Sequence, residues 1–365
     1  MNREVPVVIP AYEPDDRLLR LLKGLVEGGC FIIIVDDGSG SSYRDIFEEA
    51  ARLIADNGVV LQHDKNMGKG RALKTAFSYI AEQISEAVGA VTADSDGQHT
   101  VEAIQAVARA MREHDNALIL GTRKFDKNVG GEIPWKSALG NKLTVNVVSY
   151  VLGIRISDTQ TGLRGIPIQF VKELIHVRGE RFEFETEMLI ASINKYPIVE
   201  VPIETIYDSA TDHQTHFNPL IDSGKIYLVL GRRFMKFMLS SMSATILDFA
   251  LFIVLCHFLR RADNLLYISV STVLARMGSA VYNYCMNYKV VFCSDENMTK
   301  AAAKYAGLAV LQMACSALLV TVGLILLAGC REVIIKAFVD TFLFLISYKI
   351  QQKYVFRKES GGIRK

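Results

Sequence analysis

The chain has 365 residues, 50% of them hydrophobic and 22% charged, with a formal net charge of +2. That length suggests about two domains. The composition excludes a disordered chain, and the near-balanced charge offers no field for nucleic acid. The six cysteines (Cys30, Cys256, Cys285, Cys293, Cys315, Cys330) show neither a CxxC pair nor metal-ligand spacing. They read as small hydrophobes in a reducing compartment. The opening stretch carries acidic residues and no long apolar core, which predicts no signal peptide and a cytoplasmic start.

From the N-terminus, short apolar runs alternate with helical leucine spacing. Glu4–Ile9 reads as a strand stopped by Pro10. Asp15–Glu27 carries Leu18, Leu21, Leu22 and Leu25 at helical intervals. Phe31–Val35 is a continuous apolar strand ending in Asp36-Asp37-Gly38-Ser39. Helix Tyr43–Asn57, strand Val59–Gln62, helix Gly70–Glu86 and strand Ala87–Thr92 follow, and the last strand ends in Ala93-Asp94-Ser95-Asp96-Gly97-Gln98. Helix Val101–His114 and strand Ala117–Gly121 continue the alternation, which predicts an α/β fold with a doubly wound parallel sheet and ligands at the strands' carboxyl ends. The stretch Ser137–Gly153 has an amphipathic pattern that suits either the inner leaflet or packing against the sheet. Glu183, Glu185 and Glu187 open a helix over Phe182–Lys195. Acidic residues favour a first turn, and Glu185 is also a candidate functional carboxylate.

Near residue 235 the composition changes. Four long apolar stretches follow, Met235–Leu259, Leu265–Tyr284, Tyr305–Ala328 and Val333–Tyr348. Crossing a bilayer takes roughly 20 helical residues, which the first and third stretches supply. The second contains Arg276 and the fourth Lys336 and Asp340; these charges are expected to face the bundle interior or snorkel, with Lys336 and Asp340 paired at i, i+4. Lys225, Arg232, Arg233 and Lys236 precede the first stretch. Lys289, Lys300 and Lys304 separate the second and third, and Lys349, Lys353, Arg357, Lys358, Arg364 and Lys365 follow the fourth. The opposite side receives only Arg260, Arg261 and Arg331. This asymmetry predicts four spans with both termini cytoplasmic. The division expected is a catalytic domain over 1–230, a membrane domain over 231–358 and a tail over 359–365.

The polar motifs fall at strand ends. Gly38-Ser39-Gly40 lacks the third glycine of a dinucleotide fingerprint, and Asn66-Met67-Gly68-Lys69-Gly70 lacks the Ser or Thr of a phosphate loop. Lys69 and Arg71 at a helix start can still meet an anion, although a glycine turn explains Gly68 and Gly70 as well. Asp94 and Asp96, at i and i+2, can converge on one hard cation whose other ligands are water and phosphate oxygens. An ordinary loop is the plainer account of the pair taken alone. The DxDG pattern also matches a phosphatase nucleophile loop, but here several strand–helix units precede it and Gln98 follows it.

Taken in order, Val8-Ile9-Pro10-Ala11-Tyr12-Glu13, Val35-Asp36-Asp37-Gly38-Ser39, Asn66–Gly70 and Asp94–Gln98 resemble an inverting family 2 glycosyltransferase of the GT-A fold. Asp158-Thr159-Gln160-Thr161-Gly162-Leu163-Arg164 resembles the D-x-x-[ST]-G-[FL]-R segment of polyprenyl-phosphate glycosyltransferases, the class of dolichol-phosphate mannose synthase. Arg276, Asn283, Asn287-Tyr288-Lys289 and Phe292, with Asp340, Phe344, Tyr348 and Gln351, resemble a GtrA-like four-helix membrane domain. The resemblance implies that Pro10, Ala11, Tyr12 and Glu13 border the base and ribose, that Asp37 contacts them, and that Lys69 approaches the phosphates. It further implies that Asp94 and Ser95 lie at the donor, that Asp96 and Gln98 hold Mg²⁺ or Mn²⁺, and that Arg123 and Arg164 grip the acceptor phosphate. Asp158 is expected to orient Arg164, to help position the acceptor, or to be a buried structural carboxylate. Glu185 would line the acceptor side, and His213 and His216 either touch the diphosphate or are solvated. Glu13-Pro14 and the segment Asp212–Asn218 depart from the family pattern.

The implied reaction moves a sugar from a nucleotide sugar, with UDP preferred and GDP behind it, to a polyprenyl phosphate at the membrane. A homo-oligomer is left open. The alternatives are a lipid-sugar translocator or anchoring module without transferase activity, and a transferase acting on a soluble or protein hydroxyl.

Overall fold

The structure is a computed structural model and describes residues 2–123, 145, 147–154, 156–159, 161–193, 195–204, 221–259, 267–294, 296–326 and 332–356. The chain divides into two units, Met1–Val229 and Leu230–Lys365.

In the first unit the elements are β1 (Asn2–Ala11), α1 (Asp16–Glu27), β2 (Cys30–Asp36), α2 (Arg44–Ile54), β3 (Gly58–Gln62), α3 (Lys69–Gln83), β4 (Gly89–Thr92), α4 (Val101–Glu113) and β5 (Leu118–Arg123). Then come β6 (Arg164–Pro167), α5 (Ile168–Leu174), α6 (Glu183–Ser192) and β7 (Ile198–Ile203). The seven strands form one sheet in the order β3-β2-β1-β4-β6-β5-β7. The sheet is mixed rather than wholly parallel: β6 runs antiparallel to both β4 and β5, and all other pairings are parallel. The difference arises because β6 is four residues long and begins on the arginine of the Asp158–Arg164 segment, so no apolar period announces it.

Strand alternation sends Ile9, Ile32, Ile34, Val91 and Ile119 to one face, where they share a core with Leu18, Leu22 and Leu25 of α1 and Ile104 and Val107 of α4. Fully burying one such aliphatic side chain contributes about 1.5–3 kcal/mol. Helix α3 covers β1 and β2 from the other face and packs against α5 and α6. Because β6 alone is reversed, its amino end meets the carboxyl ends of β4 and β5, with Thr92 and Leu120 both in register with Arg164. The polar motifs therefore gather at one edge of the sheet. In the apolar stretch after β5, residues 145–152 include a helical segment with Val148, Val151 and Leu152 buried, which favours packing within the unit over an exposed apolar face.

The second unit holds four long helices among the described residues: α7 (Ile221–Leu259, which begins in the first unit), α8 (Tyr267–Met286), α9 (Met298–Leu326) and α10 (Glu332–Ile350). Two of them contain spans long and apolar enough to cross a membrane, Tyr227–Leu259 and Met298–Gly323. α8 and α10 carry Arg276, Lys336 and Asp340. Lys336 Nζ pairs with Asp340 Oδ2 at 3.0 Å, as the spacing predicts. Arg276 does not turn into the bundle, because its side chain is 74% exposed. The loop arginines Arg260, Arg261 and Arg331, Cys330, and the tail from 357 lie outside the described residues.

Candidate active site

The carboxyl ends of β1 and β2 are tied together. Asp37 N–H donates to Ala11 O at 2.9 Å, and Glu13 N–H donates to Ser39 Oγ at 2.9 Å. Glu13 has a φ of 50°, so the chain turns sharply just after Pro10, Ala11 and Tyr12. Asp37 is buried and spends both oxygens on its own scaffold. Oδ1 accepts from Met67 N–H at 2.9 Å and lies 2.8 Å from His63 Nδ1, while Oδ2 accepts from Gly68 N–H at 2.7 Å. It thus clamps the Asn66–Gly70 loop onto β2. Gly68 has a φ of 101°, and a Cβ there would press on the Glu180 carbonyl at 2.5 Å. Glycine is therefore required twice over, by backbone and by space.

Lys69, the first residue of α3, bridges two carboxylates. Its ammonium lies 2.6 Å from Asp94 Oδ1 and 2.9 Å from Glu185 Oε1. Burial opposes this charge, and the Asp94 and Glu185 carboxylates more than offset it, raising Lys69 above the usual lysine range. Burial likewise penalises the Asp94 charge, and Lys69 and His99 outweigh that cost to hold its carboxyl far below the usual range. Asp96 is different. Its Oδ1 accepts from Gln98 N–H at 3.0 Å, and burial followed by the neighbouring Asp94 charge pushes its carboxyl up. Among the described residues no cation lies within salt-bridge distance of Asp96, and no group of three His, Cys, Asp or Glu forms a ready metal cage. A carboxylate in this state fits a divalent ion that brings its own phosphate and water ligands.

The Asp158–Arg164 segment closes the other side. Thr92 Oγ1 donates to Gly162 O at 2.8 Å, and a Cβ at Gly162 would overlap the Asp94 carboxylate. Asp158 is fully buried and grips Arg123 with both oxygens, Oδ2 to Nε at 2.6 Å and Oδ1 to Nη2 at 3.0 Å. Such a fork fixes the guanidinium plane. The sequence expectation pairs Asp158 with Arg164; the hydrogen bonds described run to Arg123, and full burial suits a structural carboxylate as well. Arg164 is only 1% exposed. Its Nε donates to Thr161 O at 3.0 Å and Nη1 to Glu185 O at 2.7 Å, while Nη2 is buried with no hydrogen-bond partner. Burial draws its pKa down, and the charges of Glu185, Asp158 and Asp94 oppose that shift.

Residues 7–167 match glycosyl transferase family 2, and residues 236–356 match the GtrA/DPMS transmembrane domain. The UDP-N-acetylglucosamine–dolichyl-phosphate N-acetylglucosaminyltransferase of Methanococcus voltae is 30% identical over 221 residues, covering 56% of this chain and 87% of that protein. The chain belongs to glycosyl transferase family 2. Another relative is the polyprenol monophosphomannose synthase of Mycolicibacterium smegmatis, 26% identical over 203 residues, or 54% of this chain and 75% of that one. The undecaprenyl-phosphate 4-deoxy-4-formamido-L-arabinose transferase of Edwardsiella ictaluri is 26% identical over 207 residues, or 55% and 59%.

This family 2 glycosyltransferase therefore joins a mixed α/β unit, which carries the family 2 match, to a helical unit that carries the GtrA-like match. The fold brings together Lys69, Asp94, Glu185 and His99, with Asp96 two residues beyond Asp94. Arg123 and Asp158 form a separate pair at the end of β5. Ser95, between the two aspartates, is half-buried. His99 escaped the sequence reading: it is 5% exposed, with Nε2 3.5 Å from Asp94 Oδ2. Its signal was an imidazole directly before the helix-capping Thr100, a place where a side chain can turn inward. His213, His216 and the segment Asp212–Asn218 lie outside the described residues, as does Gln160.

Proposed function

We propose that this enzyme transfers one sugar from a nucleotide sugar, UDP-linked in preference to GDP-linked, to a polyprenyl phosphate with inversion at the anomeric carbon. The observation that carries the reading is the charge cluster just past the carboxyl end of β4, where Lys69 bridges Asp94 and Glu185 with Asp96 two residues on. The printed activities of the relatives, sugar transfer to dolichyl and undecaprenyl phosphates, supply the acceptor class. The GtrA-like unit supports a membrane location. The lysine and arginine asymmetry favours a cytoplasmic catalytic unit with both termini on that side.

A lipid phosphate is already an anionic oxygen nucleophile at neutral pH, so no strong base is needed. Catalysis reduces to alignment and to stabilising the departing diphosphate. Arg123, held by Asp158 along its Nε–Nη2 edge, would turn the Nη1 side of its guanidinium to the acceptor phosphate. Arg164 acts from beneath: it fixes the Thr161 and Glu185 backbones and adds positive potential without reaching the surface. Lys69 is placed to turn from Asp94 and Glu185 toward donor phosphates. Asp96, with Gln98, would hold Mg²⁺ or Mn²⁺; such an ion neutralises diphosphate charge. Pro10, Ala11, Tyr12 and Glu13 would border the base and ribose, on a wall whose register Asp37 maintains from behind.

The test incubates purified full-length protein with Mg²⁺ or Mn²⁺, polyprenyl phosphate and radiolabelled UDP-glucose, UDP-N-acetylglucosamine or GDP-mannose. A labelled glycolipid is expected with one donor, and Asp96→Asn should cut its formation by about 100-fold or more. Absence of glycolipid with every donor, equal activity of Asp96→Asn, or full turnover without lipid phosphate each overturns the reading.

A further inference from the structure

The membrane unit repeats itself. Tyr284-x-x-Asn287-x-Lys289-x-Val291-Phe292 at the end of the first helical hairpin returns as Tyr348-x-x-Gln351-x-Lys353-x-Val355-Phe356 at the end of the second, 64 residues on. Each copy forms a π-helical turn, Asn287–Val291 and Gln351–Val355. Each turn closes in the same way, Phe292 N–H on Asn287 O and Phe356 N–H on Gln351 O, both at 2.9 Å. The same shift superimposes buried positions along the helices: Ala244 on Leu308, Ser271 on Ile335, Ser279 on Leu343.

The contacts are reciprocal as well. Asn287 Nδ2 donates to its counterpart Gln351 Oε1 at 3.0 Å, and Phe292 stacks on its counterpart Phe356 with centroids 5.0 Å apart. Tyr284 lies 6.0 Å from Phe356, while Tyr348 lies 5.8 Å from Phe292. Tyr284 OH donates to Met298 O at 2.6 Å, and Tyr348 packs on Phe234, the counterpart of Met298, at 5.2 Å. Residues that meet their own equivalents lie on a twofold axis, and residues that exchange partners lie around it. Hairpin α7–α8 and hairpin α9–α10 are thus related by a pseudo-twofold axis. Both hairpins run in the same sense, so the axis follows the membrane normal.

This relation gives the membrane-depth charges a meaning. The same shift pairs Arg276 with Asp340, so they sit at equal depth on opposite flanks, and both stay solvent- or lipid-accessible, although Asp340 Oδ1 also accepts from Ser316 Oγ at 2.6 Å. Their side chains are 74% and 47% exposed, and that of Lys336 is 62% exposed. Arg276 is midway along the 20-residue α8, and its ion-pair contact is Asp248 Oδ2 at 3.6 Å. A charged side chain at that depth is costly unless protein or water meets it. We infer that the membrane units of two copies of this chain dock head to tail, Arg276 on the α8 flank of one against Asp340 on the α10 flank of the next. Copies inserted in one orientation match these depths automatically, whereas an unrelated partner has no such register. The contact lines up Asp248, Arg276, Asp340 and Lys336 with alternating sign, and because unlike flanks meet it is heterologous.

The test places fluorescently labelled full-length protein in phospholipid vesicles at high lipid excess and counts copies by single-molecule photobleaching. Wild type should bleach in two or more steps. Arg276→Asp alone and Asp340→Arg alone should bleach mainly in one. Differently coloured single variants should recover coincidence when mixed, and the double variant Arg276→Asp/Asp340→Arg should recover multiple steps by itself. Arg276→Gln and Asp340→Asn provide the same reading where a reversal blocks insertion, judged from membrane fraction and helix content by circular dichroism. Single-step wild type, single variants that still associate, or a double variant that stays single overturns the inference.

Discussion

Gly162 has no side chain because the Asp94 carboxylate occupies the space one would need. Gly162→Ala should therefore displace Asp94 and lower the rate of sugar transfer by about 10-fold or more, since small misplacements of catalytic groups carry costs of that order. The check is kcat for wild type and variant at saturating donor and lipid. Asp37 holds the Asn66–Gly70 loop. Asp37→Ala strips the acceptor from Met67 and Gly68 N–H groups, each worth about 1–3 kcal/mol if left unpaired. The melting temperature of the catalytic unit, followed in the full chain, should fall by about 5–10 °C. The residue types at the strand ends were legible because carboxylates, glycines and a lysine are out of place beside apolar strands. Their partners were not. Nothing local links Lys69 to Glu185, or Asp158 to Arg123, because those pairs are made by the crossing of distant elements. The burial of Arg164 was equally hidden, because an arginine in a loop motif reads as exposed.

Among the elements, β1 to β5 announce themselves as apolar runs and α1 to α4 by leucine and alanine spacing, and both are where the pattern predicts within a few residues. β6, with the sequence Arg-Gly-Ile-Pro, carries no such signal, and in β7 the apolar run Ile198–Ile203 is interrupted by Glu200 and Pro202; β6 pairs with β4 and β5, and β7 with β5. Tertiary pairing, not propensity, makes these strands. Helix α4 is held at its start by Thr100, whose Oγ1 accepts from Ala103 N–H at 3.1 Å. Thr100→Ala should cost about 1 kcal/mol, seen as a lower thermal midpoint with transfer activity retained at 25 °C. A larger loss of activity than of stability would show that the cap also holds the neighbouring His99. In the membrane unit, α7 and α9 are plain from hydropathy, while α8 and α10 are obscured by Arg276, Lys336 and Asp340. The duplication hides even better, because the copies share a pattern of contacts and few identical residues.

At the scale of the molecule, composition alone separated a charged half from an oily one, and the two units divide between Val229 and Leu230. The charge of +2 over 365 residues says little by itself; the local arrangement around Lys69 says more. There the ammonium of Lys69 already answers Asp94 and Glu185 before any ligand arrives. An incoming pyrophosphate would swap one counter-charge for another instead of filling a bare positive basin. Donor association should then be only weakly sensitive to electrolyte: a titration repeated from about 50 to 500 mM KCl should move the dissociation constant by less than about threefold, where an exposed cationic patch would be screened far more. Lys69 is thus a built-in counter-ion for Asp94 and Glu185 in the resting protein, one that such an exchange would release.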